Sequence, residues 1–166
     1  MDQPLNAIKT ESRKTLIIII LEINVLVKDV NRLIISANIN IYLYIILVTM
    51  SCLFNSLSYF IKESSNDIRQ KICNYIEQNK PIMDGLDTKD IINFEGPNYI
   101  QKMRNTSTWG GAIEIQAACN LWKYNIIVNN HRDRNHTKIE FIPIIGTSEN
   151  TIELQWTGGH YEPIRK

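Results

Sequence analysis

A dominant charge is the first thing this sequence lacks. Its 166 residues carry 18 Lys and Arg against 17 Asp and Glu, a formal net charge of +1. A chain so balanced has no broad field with which to hold nucleic acid or an anionic membrane surface, and neither is expected as a partner. The basic cluster His131-Arg132-Asp133-Arg134-Asn135-His136 lies among Asn residues and reads as a solvated loop. Cysteine is scarce as well. Cys52, Cys73 and Cys119 are odd in number and widely spaced. They offer neither a disulfide framework nor a zinc pattern, and they suit a reducing compartment. His131 and His136 have no cysteine pair near them, so no metal site is expected, and nothing implies a cofactor. A secretory leader is missing too, because Met1 to Thr15 is polar and mixed in charge. The triplets at Asn105 and Asn135 therefore carry no meaning as glycan acceptors, and a cytoplasmic location is expected.

Charge is also missing locally. No charged residue occurs over the 29 positions from Leu33 to Ile61, and a purely aliphatic run, Leu16 to Ile20, precedes them. A membrane-spanning helix needs about 20 mainly apolar residues, so length alone allows one. Ser36, Asn38, Asn40, Thr49, Ser51, Asn55, Ser56 and Ser58 argue against it, since such side chains are costly in hydrocarbon. Buried elements of a globular protein are the simpler expectation. Membrane association is the lesser alternative.

From Cys52 onward the chain is well punctuated. Apolar residues at 53, 54, 57, 60 and 61 have helical spacing, as do Ile68, Ile72, Tyr75 and Ile76 in a segment ending at Gln78. Ser65, Asn66 and Asp67 are candidate caps for that second helix, and Asp87 for a third through Ile91 and Ile92. Tyr99 to Met103 and Ala112 to Trp122 follow as helices. Strands are expected at Tyr124–Val128, Lys138–Ile145 and Thr151–Trp156, with a last one after Gly158-Gly159 that holds His160 to Ile164. Helices followed by neighbouring strands predict an α+β domain, with helices packed on a small, mostly antiparallel sheet. The expected organisation is an atypical hydrophobic segment over 1–48 and the globular domain over 49–166.

Two residues carry chemistry by placement. Cys52 begins a helix, where the positive end of the macrodipole favours a thiolate and free backbone N–H groups can receive an oxyanion. A nucleophilic Cys needs a base, usually a His that the fold brings to it. His160 follows a Gly-Gly turn, and Glu162 lies two positions on, on the same face of an extended strand. The pattern fits a thiol-protease triad. A buried core thiol and an exposed strand His beside an exposed Glu fit the same spacing.

Family resemblance separates these alternatives. Cys52-Leu53-Phe54-Asn55-Ser56 resembles the nucleophile motif of the ovarian tumour (OTU) deubiquitinases, a group of papain-like cysteine proteases. Tyr99 to Met103, then Trp109-Gly110-Gly111 with Glu114 and Ala117, is similar to that family's middle signature. Ile152-Glu153-Leu154 through Gly159-His160-Tyr161-Glu162-Pro163-Ile164 is similar to its terminal His motif. The resemblance implies an isopeptidase acting on ubiquitin or polyubiquitin, with Cys52 attacking, His160 as base then acid, and Glu162 holding the His. It implies that Trp109 and Gly110 stand beside the substrate-binding cleft as part of its scaffold. An indole is more often core than ligand contact, and core is the expected place of Trp109 and Trp156.

One departure bears on activity. The family usually has Asp-Gly-Asn before its nucleophile, and this chain has Thr49-Met50-Ser51. Glycine gives that loop, which helps shape the oxyanion hole, backbone angles that methionine resists. The sequence thus supports an active deubiquitinase, or else a weak or inactive relative that binds ubiquitin or is a degenerate gene product.

Overall fold

The computed structural model describes residues 32–41 and 50–165. The chain divides into two compact units, Met1–Ile45 and Ile46–Lys166. In the first, residues 32–41 form a helix, α1, whose side chains are all exposed. The aliphatic run at 16–20 lies outside the described residues, as does Thr49. No helix among the described residues is long and apolar enough to cross a membrane.

The second unit starts its regular structure with α2 (Cys52–Ile61) and α3 (Ser65–Glu77). The end of the charge-free stretch is thus an amphipathic helix, with Leu53, Phe54 and Leu57 fully buried. Lys62 closes α2 in a left-handed conformation, φ 63°. The cap of α3 is Ser64, one residue before the expected candidates. Its Oγ accepts from Asp67 N–H at 3.1 Å. Asp87 caps α4 (Thr88–Phe94) as the sequence predicts, accepting from Lys89 N–H at 2.8 Å. The short α5 (Tyr99–Met103) and then α6 (Ala112–Trp122) complete the helices.

Four strands follow: β1 (Tyr124–Asn130), β2 (Lys138–Phe141), β3 (Asn150–Trp156) and β4 (Tyr161–Pro163). Their spatial order is β2-β1-β3-β4. The two outer pairings are antiparallel, and the central β1–β3 pairing is parallel, so the sheet is mixed. Period-two alternation turns Ile126 and Val128 of β1, and their partners Ile152 and Leu154 of β3, into the core. There they meet Ile115, Ala118 and Cys119 of α6 and the apolar faces of α2 and α3. β2 stops at Phe141, short of the predicted Ile145. Pro143 cannot donate to a ladder. The backbone on either side of it turns to α6 instead: Gln116 Nε2 donates to Ile142 O at 2.9 Å, and Ile144 N–H to Asn120 Oδ1 at 2.9 Å.

Candidate active site

The fold brings the start of α2 against the start of β4. Cys52 is the first residue of α2, and its thiol is buried. The first bond within the helix runs from Asn55 N–H to Ser51 O at 2.9 Å, so the N–H groups ahead of Asn55 have no carbonyl on their own helix. Two residues one turn apart on α2 grip the backbone of Tyr161. Tyr161 N–H donates to Cys52 Sγ at 3.4 Å, and Ser56 Oγ donates to Tyr161 O at 3.0 Å. These contacts fix the residue next to His160 and hold it at the thiol.

His160 leaves the turn Thr157–Gly159, which closes through Thr157 N–H donating to His160 O at 3.1 Å. Gly158 has φ 98°, a left-handed conformation that favours glycine, and the exposed Arg132 side chain passes close by. Cys52, His160 and Glu162 line one open cleft of about 280 Å³, with Asn55, Ser56 and Tyr59 along the helix side. His160 precedes β4 rather than lying in it, and its Nε2 is 3.7 Å from Glu162 Oε1. That separation is an ion-pair distance, longer than a hydrogen bond.

Trp109 and Gly110 take different places. Trp109 is 54% exposed, so the expectation of a core indole is wrong for it. Its ring edge lies 3.8 Å from where a Cβ on Gly159 would be, placing the indole at the turn before His160. Trp156 does pack on the core. Gly110 presses its backbone onto the first turn of α2, where a Cβ would meet Leu53 Cδ2 at 2.8 Å and Phe54 Cε2 at 2.9 Å. Neither residue lines the cleft that holds Cys52.

Two buried charged residues support this arrangement, and the sequence reading passed over what they do. Glu114 is 1% exposed; its carboxylate accepts from Gly111 N–H at 2.7 Å and from Tyr99 O–H at 2.7 Å. Burial pushes its pKa up, opposed by those same hydrogen bonds. Burial likewise raises Tyr99, reinforced by the Glu114 charge. Arg69 is equally buried and reaches three segments with its guanidinium. A signal for Arg69 was present. It lies three residues before Ile72 on a helix, which puts it on the apolar face.

The other two thiols are poor nucleophiles by environment. Burial pushes both Cys73 and Cys119 up to about 11 from the ordinary 9.0. Below pH 9 both are neutral thiols in the folded and the unfolded chain. Between pH 9 and about 11 only the unfolded chain ionises, so stability should fall as pH rises through that window. Alkylation at pH 8 followed by peptide mapping should find these two residues unmodified, with thiolate fractions on the order of 10⁻³. His131 and His136 stack edge to face, 5.0 Å between ring centres. Among the described residues no group of three His, Cys, Asp or Glu side chains could hold a metal ion.

Comparison with known proteins agrees with the architecture. Residues 51–161 match the family of OTU-like cysteine proteases. The chain is 27% identical over 119 residues to the OVARIAN TUMOR DOMAIN-containing deubiquitinating enzyme 9 of Arabidopsis thaliana, covering 69% of this chain and 32% of that protein. It therefore spans about a third of the curated relative. A solved Ovarian Tumor (OTU) domain in complex with ubiquitin superposes with a TM-score of 0.54 at 26% identity, over 68% of this chain and 62% of that one. The viral OTU domain protease from Dera Ghazi Khan virus superposes with a TM-score of 0.52 at 23% identity, over 68% and 72%, and shares the fold. With the nucleophile-type helix start, the Gly-Gly turn before His160 and the mixed sheet between them, the chain belongs to the OTU-like cysteine proteases.

Proposed function

We propose that this chain is an OTU-type deubiquitinase that hydrolyses ubiquitin isopeptide bonds with Cys52, His160 and Glu162. The single observation that carries the reading is the meeting of a helix-start cysteine with a histidine–carboxylate pair in one solvent-open cleft. Cys52, as thiolate, attacks the carbonyl carbon at the ubiquitin C-terminus, and backbone N–H groups at the start of α2 receive the oxyanion. Imidazolium His160 gives its proton to the departing lysine amine, leaving a thioester. His160 then takes a proton from water, whose oxygen displaces the thiol and frees the ubiquitin carboxylate. Glu162 orients the imidazole and offsets its charge. Trp109 stands where it can cover the substrate tail beside His160, and Gly110 holds the first turn of α2. The cytoplasm suits this chemistry, supported by three free thiols. Cleavage of polyubiquitin chains by the purified full chain, absent in Cys52→Ala, tests the proposal.

A weaker enzyme, or a ubiquitin-binding relative, is the second reading. The substitution of Thr49-Met50-Ser51 for the family's Asp-Gly-Asn favours it, together with the 3.7 Å gap between His160 and Glu162. Met50 is not among the described residues with positive φ, so it does not reproduce a glycine-only conformation. Losing one oxyanion donor costs about 10²–10³ in rate. Covalent capture by an electrophile needs chiefly the thiolate, whereas hydrolysis also needs the tetrahedral intermediate stabilised. The pair Thr49→Asp with Met50→Gly should therefore raise chain turnover by about tenfold or more, while probe capture changes much less. Equal changes in both rates would show that the loop is not what limits hydrolysis.

A further inference from the structure

Arg69 is a buried cation whose contacts all converge on the start of α2 and the segment beside it. It is 1% exposed. Nη1 donates to Met103 O at 2.8 Å and to Thr108 O at 2.9 Å, and Nη2 donates to Ser51 Oγ at 3.3 Å. Ser51 Oγ in turn donates to Thr106 O at 3.0 Å. The guanidinium also lies 3.8 Å over the Phe54 ring. Ser51 and Phe54 flank Cys52 in the chain, so Arg69 holds the nucleophile's helix start from both sides.

The charge of Arg69 has no carboxylate in contact. Among the described residues its hydrogen-bond partners are neutral, and none of the ion pairs involves it. A buried cation in this state is costly unless an anion stands close by. Three titratable groups face it: Cys73 from its own helix, Glu114 from α6 and Cys52 from α2. Burial pushes the Cys73 thiol toward its neutral form, while the Glu114 carboxylate keeps the donors Gly111 N–H and Tyr99 O–H. Cys52 itself is faced on its other side by Tyr161, within a cleft shared with His160 and Glu162.

We propose that Arg69 is a positioning residue for thiol chemistry at Cys52: it clamps Ser51 and Phe54 around the nucleophile and so holds the helix start that presents the thiol. The inference rests on Cys52 being the nucleophile, as in the reading above. It does not depend on ubiquitin being the substrate.

The test is iodoacetamide alkylation of the full-length protein across pH 5–10, with Cys52 followed by peptide mapping and Cys52→Ala as the blank. Arg69→Met should slow alkylation of Cys52 about tenfold at each pH, whereas Arg69→Lys, which can still donate to the two carbonyls, should lose less. A folded Arg69→Met that alkylates at the wild-type rate overturns the positioning role. Ser51→Ala leaves Arg69 on its two carbonyls and removes the Ser51 Oγ contacts to Arg69 and Thr106. It should slow capture by an electrophilic ubiquitin probe about tenfold. Unchanged capture overturns the clamp, and it does so even where Arg69→Met fails to fold. A wild type that alkylates at Cys52, slows with Arg69→Met and yet ignores ubiquitin would sink the deubiquitinase reading while leaving the role of Arg69 standing.

Discussion

Replacing His160 by Ala should lower the rate of polyubiquitin cleavage by about 10⁴-fold, with little change in melting temperature. The size follows from its double duty. In the proposed mechanism His160 draws a proton from water in one half-reaction and gives one to the leaving amine in the other, and no second histidine borders the cleft. The stability half of the expectation comes from exposure. The imidazole is 41% exposed and its ionic contact with Glu162 is 3.7 Å long, so the fold draws little from it. Exposed substitutions of this kind stay within about 0.5 kcal/mol. A gel-based cleavage assay alongside thermal denaturation checks both halves. Near-normal cleavage by the variant would mean that another group performs the proton transfers.

The second large effect is on folding. Gly110→Ala should destabilise the protein by about 2–3 kcal/mol, the usual cost of forcing an extra methyl into a packed core. The added carbon would sit 2.8 Å from Leu53 Cδ2 and 2.9 and 3.0 Å from two atoms of the Phe54 ring. Leu53 is 1% and Phe54 0% exposed, and the Arg69 guanidinium covers the same ring at 3.8 Å. None of them can give way without disturbing α2 at Cys52. The neighbouring Gly111→Ala is the control, because a Cβ there meets nothing within 4 Å. It should cost less than about 1 kcal/mol. Denaturant melts of both variants decide the matter; equal losses would contradict the close approach at Gly110.

The residues of the candidate site differ in how far a chain reveals them. Cys52 and His160 stood out as candidates because each sits at a boundary that local rules mark: a helix start after an uncharged stretch, and a strand start after two glycines. Strand periodicity offered Glu162 as the partner of His160. Arg69 was not legible in the same way, because a lone arginine in an amphipathic helix is usually solvated. Its burial depends on Met103 O and Thr108 O, which lie more than thirty residues away along the chain. The exposed place of Trp109 was missed for a related reason. Composition favours burying an indole, and only the tertiary approach of the turn before His160 sets it at the surface. The parallel centre of the sheet was hidden too: β1 and β3 alternate identically in either direction, and the pairing is set by how β2 folds back on the outer edge.

The length of β2 carries the same lesson on a smaller scale. Ile142, Ile144 and Ile145 look like strand continued, yet Pro143 ends the ladder and α6 takes over the backbone through Gln116 and Asn120. The cap of α3 moved by a single residue because Ser64, and not Ser65, has the extended backbone that a cap requires, φ −65° and ψ 146°.

The central claim is that Cys52 is a nucleophile presented to the ubiquitin C-terminus, and capture of the full-length protein by ubiquitin bearing a C-terminal electrophile tests it most directly. The account predicts one adduct per chain, mapped by mass spectrometry to Cys52, lost in Cys52→Ala and absent from Cys73 and Cys119. An adduct that persists in Cys52→Ala, or a folded wild-type protein that forms none, would contradict it.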